Sequence, residues 1–370
     1  MLIGVDAGCL GVKDERLKVG VYQMAKNLLL ELGKIDQQNS YLLYSFYPIE
    51  KKLLLKFGRR MHNVIVRPSR GWLKIWLPFQ LLKDKPDVFL ALGQSLPQKL
   101  PFSPLPYTIG FVYDVAFEKF PAIYSTSLVK LQKNSREVVK NSNFILTISN
   151  STKEDIVSLY GISAKKIKPI YPGVSKIFNP KGVKYQPKKP YFLFVGALKK
   201  IKNIPNIIKG FSYFLRKTKK DYDLILVGGD KWLDENIQKT VVGLKAERCI
   251  KTLGYVDEDK LARLYHSAVA FVSPSFYEGF GLTFSEAMAS GCPVIGSKSG
   301  SIPEVVGDCG ILVNPESSEE IGEAMIKMVK DKNFRNGCVK KGIRRVKDFT
   351  WEKFARTVLN YIRVQPYVRP

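Results

Sequence analysis

The chain has 370 residues, enough for two cores because a single core rarely grows past roughly 250 residues, and 59 basic against 33 acidic side chains give it a net charge of +26. That excess implies an anionic partner, whether nucleic acid, a phosphate-rich ligand or acidic lipid headgroups, and composition alone does not choose among them. No apolar run nears the ~18 residues of a membrane span, the acidic, strand-like start Met1–Asp6 is not expected to act as a secretory signal, and a zinc site or a His-based triad has little to draw on. Only His62 and His266 are present, and Cys9, Cys249, Cys292, Cys309 and Cys338 are far apart, a pattern expected of reduced thiols in the cytosol.

In chain order, Met1–Ala7 reads as a first strand, followed by the turn Val19-Gly-Val-Tyr22 and a helix over 23–32. Apolar runs at 41–47, 64–66, 87–92, 107–113 and 144–149 predict further strands, with helices at 127–140 and 152–160. Ser151-Thr-Lys-Glu154 has the spacing of a capping box for the second of these helices. The polar, basic, proline-bearing stretch Gly182–Pro190 reads as a linker. Beyond it, strands at 191–195, 224–227, 250–253, 269–273 and 294–296 alternate with helices at 205–217, 261–267, 282–290 and 318–330. In the closing stretch 350–362, Trp351, Phe354, Ala355, Val358 and Tyr361/Ile362 fall on one helical face. This alternation predicts an α/β protein with two doubly wound parallel-sheet domains, residues 1–180 and 188–349. Ligands of such domains bind outside the carboxyl ends of the strands.

The richest stretch is Ser275-Phe-Tyr-Glu-Gly-Phe-Gly-Leu-Thr-Phe-Ser-Glu286. A buried strand precedes it, and a helix opens at Leu282, so Gly279 and Gly281 sit on a strand-to-helix turn. There the N–H groups around Phe280, Leu282 and Thr283 can approach a phosphate. Glu278 lies before the helix and Glu286 more than a turn inside it. A second stretch, Phe194-Val-Gly-Ala-Leu-Lys-Lys-Ile-Lys-Asn203, leaves a strand at Gly196 and carries Lys202 toward the next helix, well placed to neutralise a diphosphate. Lys199 and Lys200 read as solvated surface charge. Tyr107–Asp114 ends an apolar strand on a carboxylate, and for Asp114 a turn cap and a contact to a substrate hydroxyl are both open.

Glu278-x7-Glu286 within Pro-Ser-x-Tyr-Glu-Gly-Phe-Gly-Leu resembles the donor-site motif of the retaining glycosyltransferases of family 4, and the resemblance extends over nearly the whole chain. It implies the GT-B fold, two Rossmann-like domains facing each other across a cleft, with the acceptor held mainly by the first and the nucleotide-sugar mainly by the second. A terminal helix, 350–366, returns to the first domain. By the same resemblance Gly20, Gly196, Lys202, Asn203 and the turn Gly279–Thr283 hold the donor phosphates. Glu278 contacts the sugar hydroxyls, Glu286 the ribose, and Tyr255 and Val256 lie by the base. Lys202 and Glu278 then carry the reaction together with Asp114, the donor diphosphate takes the acceptor's proton, and neither a metal nor a cofactor is expected. Ala197 stands where relatives carry an arginine, and Tyr113 where they carry a histidine, so one phosphate contact and one group near the sugar are changed. Tyr171-Pro-Gly-Val174 and Gly300–Gly307 also match the family.

The function this implies is transfer of a hexose, with mannose favoured, from a GDP- or UDP-sugar to a glycan or lipid-linked acceptor. The alternatives are another GT-B nucleotide-sugar enzyme such as an epimerase, or a basic nucleic-acid-binding protein, although no nucleic-acid module is recognisable. From Lys51 to Lys83 there are nine Lys/Arg and no Asp or Glu, interleaved with Trp72, Ile75, Trp76, Leu77 and Phe79. That composition suits a peripheral contact with an anionic membrane at its cytoplasmic face, or a helix whose apolar side chains face the core.

Overall fold

The computed structural model describes every residue except 13, 15–17, 19, 103, 125–126, 230–234 and 365–370. The chain divides into two units, Met1–Gly173 with Trp351–Pro370, and Val174–Thr350. In the first, seven parallel strands lie in the order β3-β2-β1-β4-β5-β6-β7. They are β1 Leu2–Asp6, β2 Ser40–Ser45, β3 Met61–Ile65, β4 Val88–Ala91, β5 Tyr107–Val112, β6 Phe144–Thr147 and β7 Ile167–Pro169. In the second, six parallel strands are ordered β10-β9-β8-β11-β12-β13. These are β8 Tyr191–Val195, β9 Asp223–Val227, β10 Ile250–Gly254, β11 Ala270–Ser273, β12 Val294–Ser297 and β13 Gly310–Val313.

Both sheets reverse their winding once, between β1 and β4 (Ile3 opposite Val88) and between β8 and β11 (Leu193 opposite Phe271). Such a reversal opens a crevice at the strand carboxyl ends, because the flanking crossover helices lie on opposite faces. The central strands read as unbroken apolar runs because both faces are covered: Phe192, Leu193, Phe194, Leu224 and Phe271 are all 0% exposed. Helix Ile204–Thr218 presses Ile207, Ile208, Phe211 and Phe214 on one face of the second sheet. Phe192 meets Phe214 edge to face at 5.1 Å, and Tyr222 closes the cluster at 5.1 Å from Phe214.

Several boundaries differ from the sequence expectation. β3 begins at Met61, three residues early, because Asn63 sits within the strand by donating to the Leu43 carbonyl (2.8 Å) and the Ser45 hydroxyl (2.8 Å). Helix Asn150–Tyr160 is capped by Ser149, whose Oγ accepts the Thr152 N–H at 3.0 Å, so the cap lies two residues before the expected box. The two units part at Gly173, ahead of Gly182–Pro190. Within that stretch the Tyr185 N–H donates to the Arg263 carbonyl (3.4 Å) and its ring packs on Tyr191, both in the second unit. β7 and β13 and the helices Lys51–Phe57 and Lys332–Arg345 had no counterpart in the pattern reading. The expected turn 228–232 runs into residues outside the described ones, as do Val19 and the last two positions of 350–366.

Helix Trp351–Val364 belongs to the first unit. Its apolar stripe buries Phe354, Ala355, Val358, Leu359 and Ile362; Tyr361 stacks on Phe144 at 4.4 Å, and Arg363 reaches the buried Asp36 at 3.3 Å. All five cysteines are free, and among the described residues no helix is long and apolar enough to cross a membrane.

At the reversal of the first sheet, Asp6 ends β1 with 5% exposure, its Oδ1 accepting the Gly8 N–H at 3.1 Å. Burial raises its carboxyl from 3.8 to about 6, against the pull of the Gly8 and Gly93 backbone bonds. The folded chain therefore holds a proton there that the unfolded chain has lost, and stability falls as pH rises from about 4 to about 6. Asp6→Asn removes that loss: urea denaturation should show wild type losing about 2–3 kcal/mol relative to the variant across the window. Parallel curves would place the titration elsewhere. In the second unit, Phe214→Ala should cost about 3–5 kcal/mol in the same measurement, the range for a fully buried aromatic.

Candidate functional site

Two loops meet at the reversal of the second sheet, one leaving β8 and one leaving β11. The first runs through Gly196 into a short 3-10 turn, Lys200–Lys202. The second carries Glu278 to Gly281, where helix Leu282–Ala289 begins. Although 76 residues apart in sequence, Lys202 Nζ lies 2.6 Å from Glu278 Oε1 and 2.7 Å from Oε2, donating to both oxygens. Their side chains are 22% and 12% exposed, so the pair is largely screened from water yet reachable.

Two serines hold Glu278 further, and a third braces one of them. Ser275 Oγ donates to its Oε1 at 2.8 Å, Ser301 Oγ donates to its carbonyl at 2.9 Å, and Ser297 Oγ fixes the Ser275 carbonyl at 2.6 Å. The Phe276 N–H donates to the Ile201 carbonyl at 2.9 Å, tying the two loops directly. Asn203 follows Lys202 in left-handed conformation (φ 60), which asparagine tolerates better than most residues. It is 3% exposed and spends both amide hydrogens on the Pro274 (3.0 Å) and Pro315 (2.6 Å) carbonyls. The expectation that Asn203 binds the donor is therefore corrected: its side chain faces inward and locks three strand-end loops. Phe280 is likewise turned inward, 2% exposed and packed edge to face on Phe349 at 5.3 Å. Its backbone, not its ring, belongs to the turn.

Gly281 caps the helix with φ 87, and the first-turn N–H groups of Leu282 and Thr283 have no intrahelical acceptor by geometry. This positive helix end and Lys202 flank Glu278, an arrangement suited to a diphosphate and the sugar joined to it. Glu286 lies one turn further in, half-buried, accepting from Tyr265 Oη at 3.3 Å. Desolvation, with Glu258 adding to it, raises its carboxyl to about 8 against the Tyr265 bond. The turn after β9 seats close by: a side chain at Gly228 would lie 2.4 Å from the Gly196 carbonyl oxygen. The Gly228 N–H donates to the Gly254 carbonyl at 2.8 Å, setting the turn that carries Tyr255, 47% exposed, and Val256. Lys199, Lys200 and Ala197 are exposed.

The chain contains two Asp-x-Asp spacings, Asp221-x-Asp223 and Asp257-x-Asp259, and three of the four carboxylates have structural partners. Asp221 pairs with Lys189 at 2.7 Å and Asp223 with Lys251, while Asp257 caps helix Glu258–Ser267 by accepting the Lys260 N–H at 2.7 Å.

The remaining expected residues belong to the first unit. Gly20 is exposed at the start of helix Val21–Ile35. Asp114 Oδ1 accepts the Ala116 N–H at 3.1 Å, which realises the turn-cap alternative for that oxygen. Tyr113 is 9% exposed and its hydroxyl donates to the Leu92 carbonyl at 2.7 Å. Burial, with Cys9 and Asp6 beyond it, drives its phenol far above the ordinary value. Tyr113 is thus a core residue whose hydroxyl is already engaged. Sequence reading missed Asp6, Ser275 and Ser301; an Asp closing the first strand was the one visible signal among them.

A family model described as glycosyl transferases group 1 matches residues 175–345. O-antigen chain mannosyltransferase B of Escherichia coli is 31% identical over 258 residues, 67% of this chain and 68% of that protein. Among solved structures, the sucrose-phosphate synthase of Thermosynechococcus elongatus superposes with a TM-score of 0.78 at 18% identity, covering 98% of both chains. Anabaena HepE in complex with UDP-glucose does so with 0.71 at 17% identity, covering 97% of this chain and 99% of that one. The two reversed sheets, the loop pairing Lys202 with Glu278 and these matches lead to one conclusion: the chain belongs to the group 1 glycosyl transferases, and it is a glycosyltransferase of the GT-B fold.

Proposed function

We propose that this protein is a retaining hexosyltransferase that moves a hexose, mannose in preference, from a GDP- or UDP-sugar to a glycan or lipid-linked acceptor at the cytoplasmic face of a membrane. The observation that carries the reading is the Lys202–Glu278 contact beside the Gly281 helix start. The mannosyltransferase name of the Escherichia coli relative supports the sugar, while the UDP-glucose held by Anabaena HepE keeps both bases in view.

The mechanism follows from charge. When the bond between the sugar anomeric carbon and the diphosphate oxygen breaks, negative charge grows on the diphosphate and positive charge on the sugar. Lys202 and the N–H groups of Leu282 and Thr283 stabilise the former. Glu278, freed from Lys202 by the incoming anion, accepts hydrogen bonds from the sugar hydroxyls. The acceptor oxygen bonds the anomeric carbon on the face the diphosphate leaves, and its proton passes to a diphosphate oxygen. No protein base is needed, which accords with Tyr113 being locked in the core. The reading takes no metal and no cofactor beyond the nucleotide-sugar.

A panel of nucleotide-sugars, scored for nucleoside diphosphate release and for binding, tests the proposal. Selective use of one donor is expected. Release without transfer, with the sugar recovered as an epimer, would point to an epimerase, and indifference to every donor alongside tight salt-sensitive duplex binding would sink the transferase reading. Lys202→Ala and Glu278→Gln should each lower turnover about 10²–10³-fold while circular dichroism stays unchanged. Wild-type turnover in both would remove the site.

Glu286 gives a pH signature. Its carboxyl is half protonated near 8, and only the carboxylate accepts two ribose hydroxyls, so nucleotide binding should strengthen as pH rises, by up to about tenfold per unit below 8. Titration calorimetry at several pH values should show this slope in wild type and a flat profile in Glu286→Gln. The same slope in both proteins would assign it to another group.

A further inference from the structure

The basic segment Lys51–Lys83 admitted two readings, and the fold separates its side chains between them. Trp72, Leu77 and Leu81 are 7%, 0% and 4% exposed and pack into the first unit, as a core-facing helix requires. Ile75, Trp76 and Phe79 do the opposite, at 46%, 39% and 50% exposed. They lie on the continuous helical run from Trp72 to Asp84, and the spacings of three and four residues from Phe79 put them on one ridge. The Trp76 indole N–H donates to the Arg70 carbonyl at 3.2 Å, which fixes the ring against the preceding turn. Arg67, Arg70 and Lys74 are exposed around it.

The same helix also borders a groove. Pro78, Leu81, Leu82, Leu100 and Leu105 are among the residues lining a groove of about 260 Å³. Singly scattered apolar residues on a surface need no explanation, but a contiguous ridge set among cations does. Duplex nucleic acid is met by cations and polar groups reaching phosphates, with little use for an outward aliphatic and aromatic ridge. A lipid surface uses both parts: rings and aliphatic chains at the headgroup boundary, and Lys/Arg on the phosphates.

We infer that the segment Arg67–Asp84 docks the protein on an anionic lipid bilayer, with Ile75, Trp76 and Phe79 entering the headgroup–acyl boundary and Arg67, Arg70 and Lys74 meeting the lipid phosphates. This names the membrane surface of the transferase proposed above and takes its purpose from that reading. The docking chemistry itself belongs to the first unit.

The test is sedimentation of the full chain with vesicles containing phosphatidylglycerol at low salt, alongside tryptophan emission. Wild type should sediment, and its emission should shift to the blue, a shift lost in Trp76→Phe. Trp76→Ser/Phe79→Ser should bind at least about tenfold more weakly, and Arg67→Glu/Arg70→Glu/Lys74→Glu at least about a hundredfold. Equal binding to neutral phosphatidylcholine vesicles, unchanged binding of Trp76→Ser/Phe79→Ser, or no vesicle binding by folded wild type would each overturn the inference. The donor assay is a separate readout. Normal diphosphate release without vesicle binding removes the docking face alone, and vesicle binding without use of any nucleotide-sugar removes the transferase reading alone.

Discussion

The contact between Lys202 and Glu278 is the constraint around which the second unit is built. The two residues stand on loops after β8 and β11, strands that become neighbours only because the sheet reverses its winding there. Neither charge is fully solvated, so each depends on the other: removing one partner of a screened pair leaves the survivor desolvated and unpaired. An entering diphosphate would exchange one anion for another at Lys202 instead of placing a cation where none was stable before. The resting pair thus keeps the site electrically quiet and geometrically set.

That setting is achieved mostly by residues that touch no substrate in the proposed reaction. Asn203 joins the ends of three loops with two amide hydrogens, and Ser275, Ser297 and Ser301 hold the Glu278 loop by short hydroxyl bonds. Small hydroxyl and amide side chains suit this work because they satisfy buried backbone carbonyls without adding bulk. The first unit shows a similar economy at its own reversal. There Gln94 bonds the Tyr113 N–H, the Asp114 carbonyl and the Ser135 hydroxyl, binding the β4 and β5 loops together.

The sheets and the site differed in how far the sequence disclosed them. Apolar runs such as Tyr191–Val195 and Val269–Val272 announced central strands, because a strand covered on both faces carries few polar positions. Three-residue β7, with its proline, and four-residue β13 carry too little pattern to stand out. Glu278, Glu286 and Lys202 were legible because their spacing repeats a family motif. The inward turn of Asn203 was not, since a buried and a ligand-facing asparagine look alike until the carbonyls around them are placed. The engagement of Tyr113 was hidden for the same reason: its partner, the Leu92 carbonyl, follows the neighbouring strand β4, which only the fold brings alongside. Trp72 and Trp76 stand at the two ends of a five-residue π-helical turn, which nothing in the sequence pattern marks.

The seating of Gly228 against Gly196 bears on how such a site can be altered or moved. With the two turns so close that a single methyl group would overlap a carbonyl oxygen, the position of the Lys202 loop is set by main-chain contact with its neighbour. Random mutagenesis at these two glycines would yield mostly dead ends. Substitutions that spare this main-chain contact are more readily accommodated at exposed positions such as 197 and 255, whose side chains can grow outward. Transplanting the site into another protein would require carrying over the adjoining strand ends as one block, since its few polar side chains keep their geometry only on that backbone.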